Sequence, residues 1–156
     1  MKQLRHLATR AHARRFPLAG PSSAWMRGMS AIRDHMTDHP HTIGADQPLS
    51  EAARRMQQHR IRHLPVLEGG ALVGMISDRD VLLGERVSPP LRVADVMSPE
   101  TFAIGPDTAV SDVVGKMADQ RLGSAVIMRG VKVIGIFTTT DALRMLARML
   151  TEREGG

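Results

Sequence analysis

The chain has 156 residues, of which 42% are hydrophobic but only 3% aromatic. That length suits one compact domain, or two halves that share a core of aliphatic side chains. The scarcity of rings argues against a stacking platform for single-stranded nucleic acid, and the absence of cysteine excludes disulfides, thiol nucleophiles and thiolate metal sites. Because no apolar run approaches the ~20 residues that cross a bilayer, we predict a cytoplasmic protein without a membrane span.

The positive charge is concentrated at the N-terminus. Residues 1–31 carry six basic side chains and no acidic one, so 15 of the 21 basic side chains remain to balance all 16 acidic ones in the rest of the chain. We therefore predict a nearly neutral folded part without a nucleic-acid partner. Proline and glycine interrupt residues 1–30, which predicts a flexible arm that folding does not need. A targeting segment and an alternative start at Met29 are the other interpretations of this arm.

The remainder of the chain contains an internal repeat. When residues 34–82 are shifted by 61 positions onto residues 95–143, the two stretches align without a gap and share twelve identical residues. The sharpest match joins residues 74–80 to residues 135–141. Two copies of one small unit predict a pseudo-symmetric module that presents equivalent polar positions twice.

Each copy predicts the same order of elements. A short strand and a turn lead into an amphipathic helix, whose apolar residues follow the i, i+3, i+4, i+7 spacing. Two short β-branched runs separated by glycine then predict paired strands, at 64–67 and 72–76 in copy one and at 125–128 and 131–137 in copy two. A second helix begins after Ser77 and after Thr138. The apolar residues of the first helices are Leu49, Ala52, Ala53 and Met56, and Val110, Val113, Val114 and Met117.

These elements predict an α/β fold of two pseudo-symmetric strand-helix-strand-strand-helix repeats. We assign residues 31–87 to the first repeat and residues 88–152 to the second, with residues 84–94 as the linker. The second helices carry apolar residues that little further sequence is left to cover, which predicts a homodimer. These residues are Val81, Leu82 and Leu83, and Leu143, Leu146 and Leu150.

Two motifs recur in register. Both copies contain Gly-h-h-Ser/Thr-x-x-Asp, where h is apolar, and both begin with Asp-x-Met, at residues 34–36 and 95–97. With these motifs, the chain from about residue 32 to residue 150 resembles a tandem CBS domain pair, also called a Bateman module. The resemblance implies a sensor that binds an adenosine-containing ligand between the repeats and signals through an effector protein or through self-association. It does not distinguish AMP, ADP, ATP, S-adenosylmethionine and NADH.

The resemblance also implies a set of ligand-binding residues. Asp80 and Asp141 would bind ribose hydroxyls, and Ser77 and Thr138 would bind phosphate or ribose oxygens. The residues expected to pack on the base are Thr42, Ile43, His63, Leu64 and Pro65 in copy one, and Ala103, Ile104, Ser124, Ala125 and Val126 in copy two. The candidates for phosphate charge are Arg60, Arg62, Arg79, Arg121 and Lys132, and each one taken alone also fits an ordinary solvated surface position. Because Val126 replaces the proline of copy one, the two sites are not expected to have equal affinity.

The Ser/Thr-x-x-Asp spacing also has a purely structural interpretation. A hydroxyl followed three residues later by an acid is the pattern of a helix capping box, although that box prefers Glu or Gln. A carboxylate at this place also offers two acceptors to a ribose diol. Gly74 and Gly135 would let a base or ribose approach the strand backbone closely.

Other chemistry has little support. The run from Asp34 to His41 packs three histidines and two aspartates into eight residues, but only His35 and His39 have helical spacing and Pro40 interrupts them, so we predict no metal site. Common nucleophile, zinc-protease and phosphate-loop motifs are missing, and we predict no catalytic residues and no cofactor. The prediction is a stand-alone, non-enzymatic regulatory module with an adenine nucleotide as its regulatory ligand. The alternatives are a ligand-free dimerisation module and a nucleic-acid-associated protein that uses the basic arm.

Overall fold

The computed structural model describes residues 31–87 and 90–154, and the predictions for the N-terminal arm lie outside these residues. The first half contains a 3-10 turn (Ile32–Asp34), β1 (Thr37–Asp38), β2 (Ile43–Gly44), α1 (Leu49–His59), β3 (His63–Glu68), β4 (Ala71–Ser77) and α2 (Asp78–Gly84). The second half contains α3 (Val93–Val96), β5 (Ala103–Ile104), α4 (Val110–Gln120), β6 (Ser124–Arg129), β7 (Lys132–Thr138) and α5 (Thr139–Glu154).

The strands form two sheets that repeat one topology. In the first sheet β2 pairs parallel with β3, and β3 pairs antiparallel with β4. In the second, β5 pairs parallel with β6, and β6 pairs antiparallel with β7. Each hairpin turns through positive-φ glycine, at Gly69 and Gly70 in one half and at Gly130 in the other. The predicted strand-helix-strand-strand-helix order is confirmed in both halves.

The first helix of each half buries the face that its sequence pattern predicts. Leu49, Ala52 and Met56 of α1 are at most 6% exposed and pack in the core of the first half. On α4, Val110, Val113 and Met117 do the same in the second core. Both helices end at an arginine in the left-handed region, Arg60 and Arg121, which turns the chain back towards the next strand.

The segments that precede each repeat are exchanged between the halves. Residues 31–36 bind the second half, where the Ile32 amide donates to the Thr108 carbonyl at 2.8 Å. Residues 92–97 bind the first half, where the Val93 amide donates to the Gln47 carbonyl at 2.9 Å. The two bonds are related by the 61-residue shift of the repeat. We call residues 31–36 and 92–97 the lead-in segments.

The exchange extends into both cores. Ile32 is fully buried in the second core, and Val93 is fully buried in the first. Residues 91–97 are therefore not simply a linker, because Leu91, Val96 and Met97 also pack against the first core. Each hydrophobic core is completed by apolar side chains from outside its own contiguous repeat, so the halves depend on each other to exclude water.

Methionines of the lead-in segments fill the space above Gly74 and Gly135. A Cβ at position 74 would lie 2.8 Å from Sδ of Met97 and 2.7 Å from the Ser98 carbonyl oxygen. A Cβ at position 135 would lie 2.9 Å from Cγ of Met36. The expectation that these glycines admit a base or ribose is wrong, because the thioether chain of the opposite lead-in already occupies that space.

The two sheets meet through side chains that belong to neither core. Leu64 and Val66 of β3 face the first core, so the alternation of a strand turns Pro65 to the opposite face. Pro65, Val126 and Ile136 are nonetheless buried, and β4 contacts β7. These residues therefore fill the interface between the sheets. Val81 is also buried in the first core, so its predicted place on an exposed helix face is wrong.

Substituting Gly74→Ala tests the packing of the lead-in segments. The new methyl group would press on a backbone carbonyl, which cannot move aside, and we expect a loss of about 1–3 kcal/mol of unfolding free energy. The matched control is Gly115→Ala, since a Cβ there meets nothing within 4 Å and alanine favours the middle of α4 by about 0.5–1 kcal/mol. Urea denaturation measures both. Equal stability of the two variants would contradict the proposed contact.

Candidate functional site

An open cleft of about 570 Å³ lies where residues of the two halves meet. One wall is the segment that includes β1, which pairs antiparallel with β7 of the other half. The ends of α1 and α4 and the starts of α2 and α5 form the remaining walls. The lining residues are 37–41, 60–63, 77–79, 121, 123, 136, 138–141 and 144.

The Ser/Thr-x-x-Asp motifs form capping boxes in both halves. In the first, Oδ2 of Asp80 accepts hydrogen bonds from the Ser77 amide at 2.8 Å and from its hydroxyl at 2.7 Å. In the second, Oδ2 of Asp141 accepts from the Thr138 amide at 2.9 Å and from its hydroxyl at 2.7 Å. The aspartate amide donates back to the hydroxyl oxygen at 3.3 Å in both boxes.

The capping boxes change what these carboxylates offer to a ligand. From the sequence, both carboxylate oxygens of each aspartate were expected to accept hydrogen bonds from a ribose diol. The box uses Oδ2, so Oδ1 is the oxygen that remains available on the cleft side of Asp141. This Oδ1 lies 3.5 Å from Nη1 of Arg144, whose side chain is 72% exposed. The carboxylate is therefore a fixed acceptor with one oxygen outside the capping box, beside an exposed cation.

The cleft is rich in arginine. Five guanidinium groups and three carboxylates line it, those of Arg60, Arg62, Arg79, Arg121 and Arg144, and of Asp38, Asp78 and Asp141. Within residues 31–87 and 90–154, the first four of these arginines form no ion pair or side-chain hydrogen bond. All five are exposed to solvent. The cleft therefore offers unpaired positive charge in a module whose overall charge is close to zero.

Hydrogen bonds made by Arg55 of α1 hold one wall of the cleft in place. Arg55 Nη1 donates to the Thr42 carbonyl at 2.7 Å, and its Nε donates to Glu51 at 2.6 Å. Hydrogen bonds from Arg54 and Arg55 lower the pKa of Glu51 to about 2. The imidazole of His41 stacks on that of His59, with 3.7 Å between the ring centroids. Together these contacts fix the segment that runs from β1 into β2.

His63 crosses from the first half to the second. A Cβ at Gly123 would lie 2.7 Å from Nε2 of His63, so the imidazole packs on the bare backbone of that glycine. Burial lowers the pKa of His63, and the Arg62 charge acts in the same direction, while the Asp78 carboxylate opposes it. A neutral imidazole therefore occupies the floor of the cleft between the halves.

Eight of the predicted site residues line this cleft, namely Arg60, Arg62, His63, Ser77, Arg79, Arg121, Thr138 and Asp141. Five others have buried side chains, which are Ile43, Leu64, Pro65, Ala125 and Val126. The apolar side chains of these five residues fill the cores and the interface between the sheets. We therefore infer that these side chains do not contact a ligand. Thr42, Asp80, Ile104 and Ser124 are half-buried and Ala103 is exposed, all outside the lining. Lys132 is also outside it, on the opposite end of β7.

Two parts of the cleft lining were not predicted from the sequence. Residues 37–41 contribute because β1 pairs with the other half, a partnership that the local pattern does not encode. Arg144 contributes because it lies one helical turn after Asp141, and that spacing could have been noticed in the sequence. No group of histidine and acidic side chains that could hold a metal ion occurs within the described part of the chain. None of its helices has the length and apolar character to cross a bilayer.

The internal repeat of this chain matches a known protein family. The family model of the CBS domain matches residues 32–84 and again residues 93–148. The chain belongs to the CBS domain family. One relative of this CBS pair, the CBS domain-containing protein YhcV of Bacillus subtilis, is 33% identical over 118 residues, which are 72% of this chain and 83% of YhcV.

Solved CBS structures share the fold. The CBS domain pair of MJ0100, solved in complex with 5′-methylthioadenosine and S-adenosylmethionine, has a TM-score of 0.72 at 24% identity and is matched over 78% of this chain and 98% of that one. CBSX2, solved in complex with AMP, has a TM-score of 0.67 at 21% identity over 77% and 98% of the two chains. At these identities the likeness establishes the architecture of the CBS pair.

The half-buried imidazole of His63 predicts a pH dependence of stability. Because the folded pKa lies below the ordinary 6.5, the unfolded chain binds a proton first as the pH falls through that value, and the unfolding free energy decreases. His63→Gln cannot titrate and should lose less stability between pH of about 7.5 and about 5. Urea denaturation of both proteins at each pH measures the difference. An equal loss in parent and variant would contradict the assignment.

Proposed function

We propose that this CBS pair is a non-enzymatic regulatory module that binds an adenosine-containing ligand in the cleft between its halves. One observation carries the proposal. Oδ1 of Asp141, which the capping box leaves unused and Arg144 contacts at 3.5 Å, is an acceptor for a ribose hydroxyl, and it shares one cleft with four unpaired arginines that suit phosphate. The hydrogen bonds to ribose and to phosphate would form without breaking any ion pair among the described residues other than the long contact between Arg144 and Asp141.

A backbone acceptor supports adenosine recognition on the wall that carries His41. In the second half, the Val126 amide donates to the Phe102 carbonyl at 2.8 Å. The equivalent pair in the first half is Pro65 and His41, and proline has no amide hydrogen to donate. The His41 carbonyl therefore lacks this internal donor, and an exocyclic amino group such as that of adenine would satisfy it. Adenosine ligands in the structures of MJ0100 and CBSX2 lend support by analogy.

Asp141→Ala and Asp80→Ala separate ligand binding from helix capping. Both substitutions remove a capping box and should cost about 0.5–2 kcal/mol without ligand. ATP or AMP at ~100 times its dissociation constant should stabilise the parent by ~2.7 kcal/mol. We expect Asp80→Ala to keep that increment and Asp141→Ala to lose it, because only Asp141 lines the described cleft.

Thermal denaturation with and without nucleotide measures these increments. Asp80→Ala is the matched control, since it loses the same cap outside the cleft lining. An undiminished nucleotide effect in Asp141→Ala would contradict the assigned site. A parent protein that responds to none of AMP, ADP, ATP and S-adenosylmethionine would contradict the proposed function and favour the ligand-free dimerisation module.

We further propose that the module forms a homodimer through α5. This helix has no buried residue, and Leu143, Leu146 and Leu150 are 61%, 49% and 48% exposed at i, i+3, i+7 spacing. Leu82 and Leu83 of α2 are also more than half exposed. A row of leucines in water is costly, and pairing of two such helices would bury it. Through this self-association, ligand binding in the cleft would be signalled to an effector protein.

Introducing Leu143→Glu together with Leu146→Glu tests the dimer. Two carboxylates within the leucine row would repel their copies across a two-fold axis, so the variant should be monomeric where the parent is dimeric at tens of micromolar. Val131→Glu is the control, because Val131 is 81% exposed in the β6–β7 turn, at the opposite end of β7 from the start of α5. Light scattering measures the mass. A monomeric parent, or a dimeric double variant, would contradict the interface.

A further inference from the structure

Resting on the proposed function, we infer that the cleft selects adenosine nucleotides with two or more phosphates, with ATP and ADP bound more tightly than AMP, and discriminates against neutral or cationic adenosine compounds. The inference concerns the identity of the ligand at the same site. The observation behind it is the excess of arginine over carboxylate along the lining, five guanidinium groups against three carboxylates, with four of the five arginines unpaired within the described residues.

The charge is concentrated there rather than spread over the module. The part of the chain after residue 31 carries 15 basic and 16 acidic side chains, yet five of those basic groups line one cleft of about 570 Å³. Like charges that share a cleft repel each other, and a bound polyanion relieves that repulsion. A single phosphate group can form charge-assisted hydrogen bonds with about two arginines, whereas a di- or triphosphate chain can form them with more.

The arginines come from several elements around the opening. Arg60 and Arg62 flank the end of α1 in the first half, and Arg121 follows α4 in the second. Arg79 lies in the first turn of α2 and Arg144 in the second turn of α5. Because they approach from both halves, a ligand with several phosphates would connect the halves in a way that a single phosphate cannot.

The internal repeat makes this cleft different from its pseudo-symmetric counterpart. The 61-residue shift maps Arg144 onto Leu83 and His39 onto Glu100. The equivalent positions of the opposite side therefore carry an apolar and an acidic side chain. We assign the polyphosphate preference to the cleft lined by Asp141, and expect one tight site in each module.

The same charge argues against the ligands seen with MJ0100. 5′-Methylthioadenosine has no charge to match the arginines, and S-adenosylmethionine, with a sulfonium and an ammonium against one carboxylate, would bring net positive charge into a positive cleft. Desolvating unpaired guanidinium groups costs free energy, which 5′-methylthioadenosine returns with no ion pair and S-adenosylmethionine with at most the one that its carboxylate can form. Both should bind weakly to this chain.

Calorimetric titration of the full-length protein with ATP, ADP, AMP, adenosine, 5′-methylthioadenosine, S-adenosylmethionine and inorganic triphosphate tests the inference. We expect ATP and ADP to bind at least about tenfold more tightly than AMP, which corresponds to a single additional charge-assisted contact. Raising the salt concentration should weaken ATP binding more than AMP binding, because more ion pairs are screened.

A double variant that removes two positive charges provides the second measurement. Arg62→Gln with Arg79→Gln should weaken ATP binding by about tenfold or more and AMP binding by much less. Both arginines are exposed and without an ion pair, so the fold should tolerate the change. Arg86→Gln with Arg129→Gln removes the same two charges at exposed arginines outside the lining, and this control should leave both affinities unchanged.

The outcomes separate this inference from the proposed function. Equal affinity for ATP and AMP, or tight binding of S-adenosylmethionine, overturns the polyphosphate preference and leaves the adenosine site standing. If inorganic triphosphate binds as tightly as ATP, the arginines recognise phosphate as inferred, but the adenosine part adds nothing to the affinity. That result overturns the proposal that the ligand is an adenosine compound. If no adenosine compound binds the folded parent, both proposals fall.

Discussion

The reciprocal exchange of the lead-in segments is the constraint on which the rest of the structure depends. Ile32 completes the second core and Val93 completes the first, and paired backbone hydrogen bonds fix both segments. Neither contiguous repeat has its full hydrophobic core alone. The exchange therefore converts two small units into one cooperative module, and it carries β1 to the edge of β7, where residues 37–41 become a wall of the cleft.

One short motif serves folding and, under the proposed function, recognition as well. The Ser/Thr-x-x-Asp pattern stabilises the start of a helix through Oδ2 of the aspartate, and in doing so it immobilises the same carboxylate. At Asp141 the remaining oxygen then faces a cleft bordered by arginines. A preorganised acceptor loses little entropy on binding. The capping and ligand-binding interpretations of the motif are thus compatible, with the cap limiting the carboxylate to one free oxygen.

The two copies differ at the strand edge and in the second helix. Pro65 and Val126 occupy equivalent, buried places between the sheets, but only valine closes the backbone hydrogen bond at the strand edge. The second helices differ as well. α2 is a short helix that buries Val81 in the first core, whereas α5 is longer and buries none of its residues. The symmetric architecture thus presents an asymmetric cleft and one long helix with an exposed row of leucines.

The sequence by itself determined the repeat, the order of elements, the helix faces and the caps, because each depends on periodicity or spacing within about a dozen residues. It also indicated Ser77, Thr138 and Asp141. Only the tertiary structure decided which half each lead-in joins, since both copies have the same Asp-x-Met and the same glycine partner. It likewise decided that Leu64, Pro65, Ala125 and Val126 are interior, because an apolar strand residue can face a core, a neighbouring sheet or a ligand with the same local pattern.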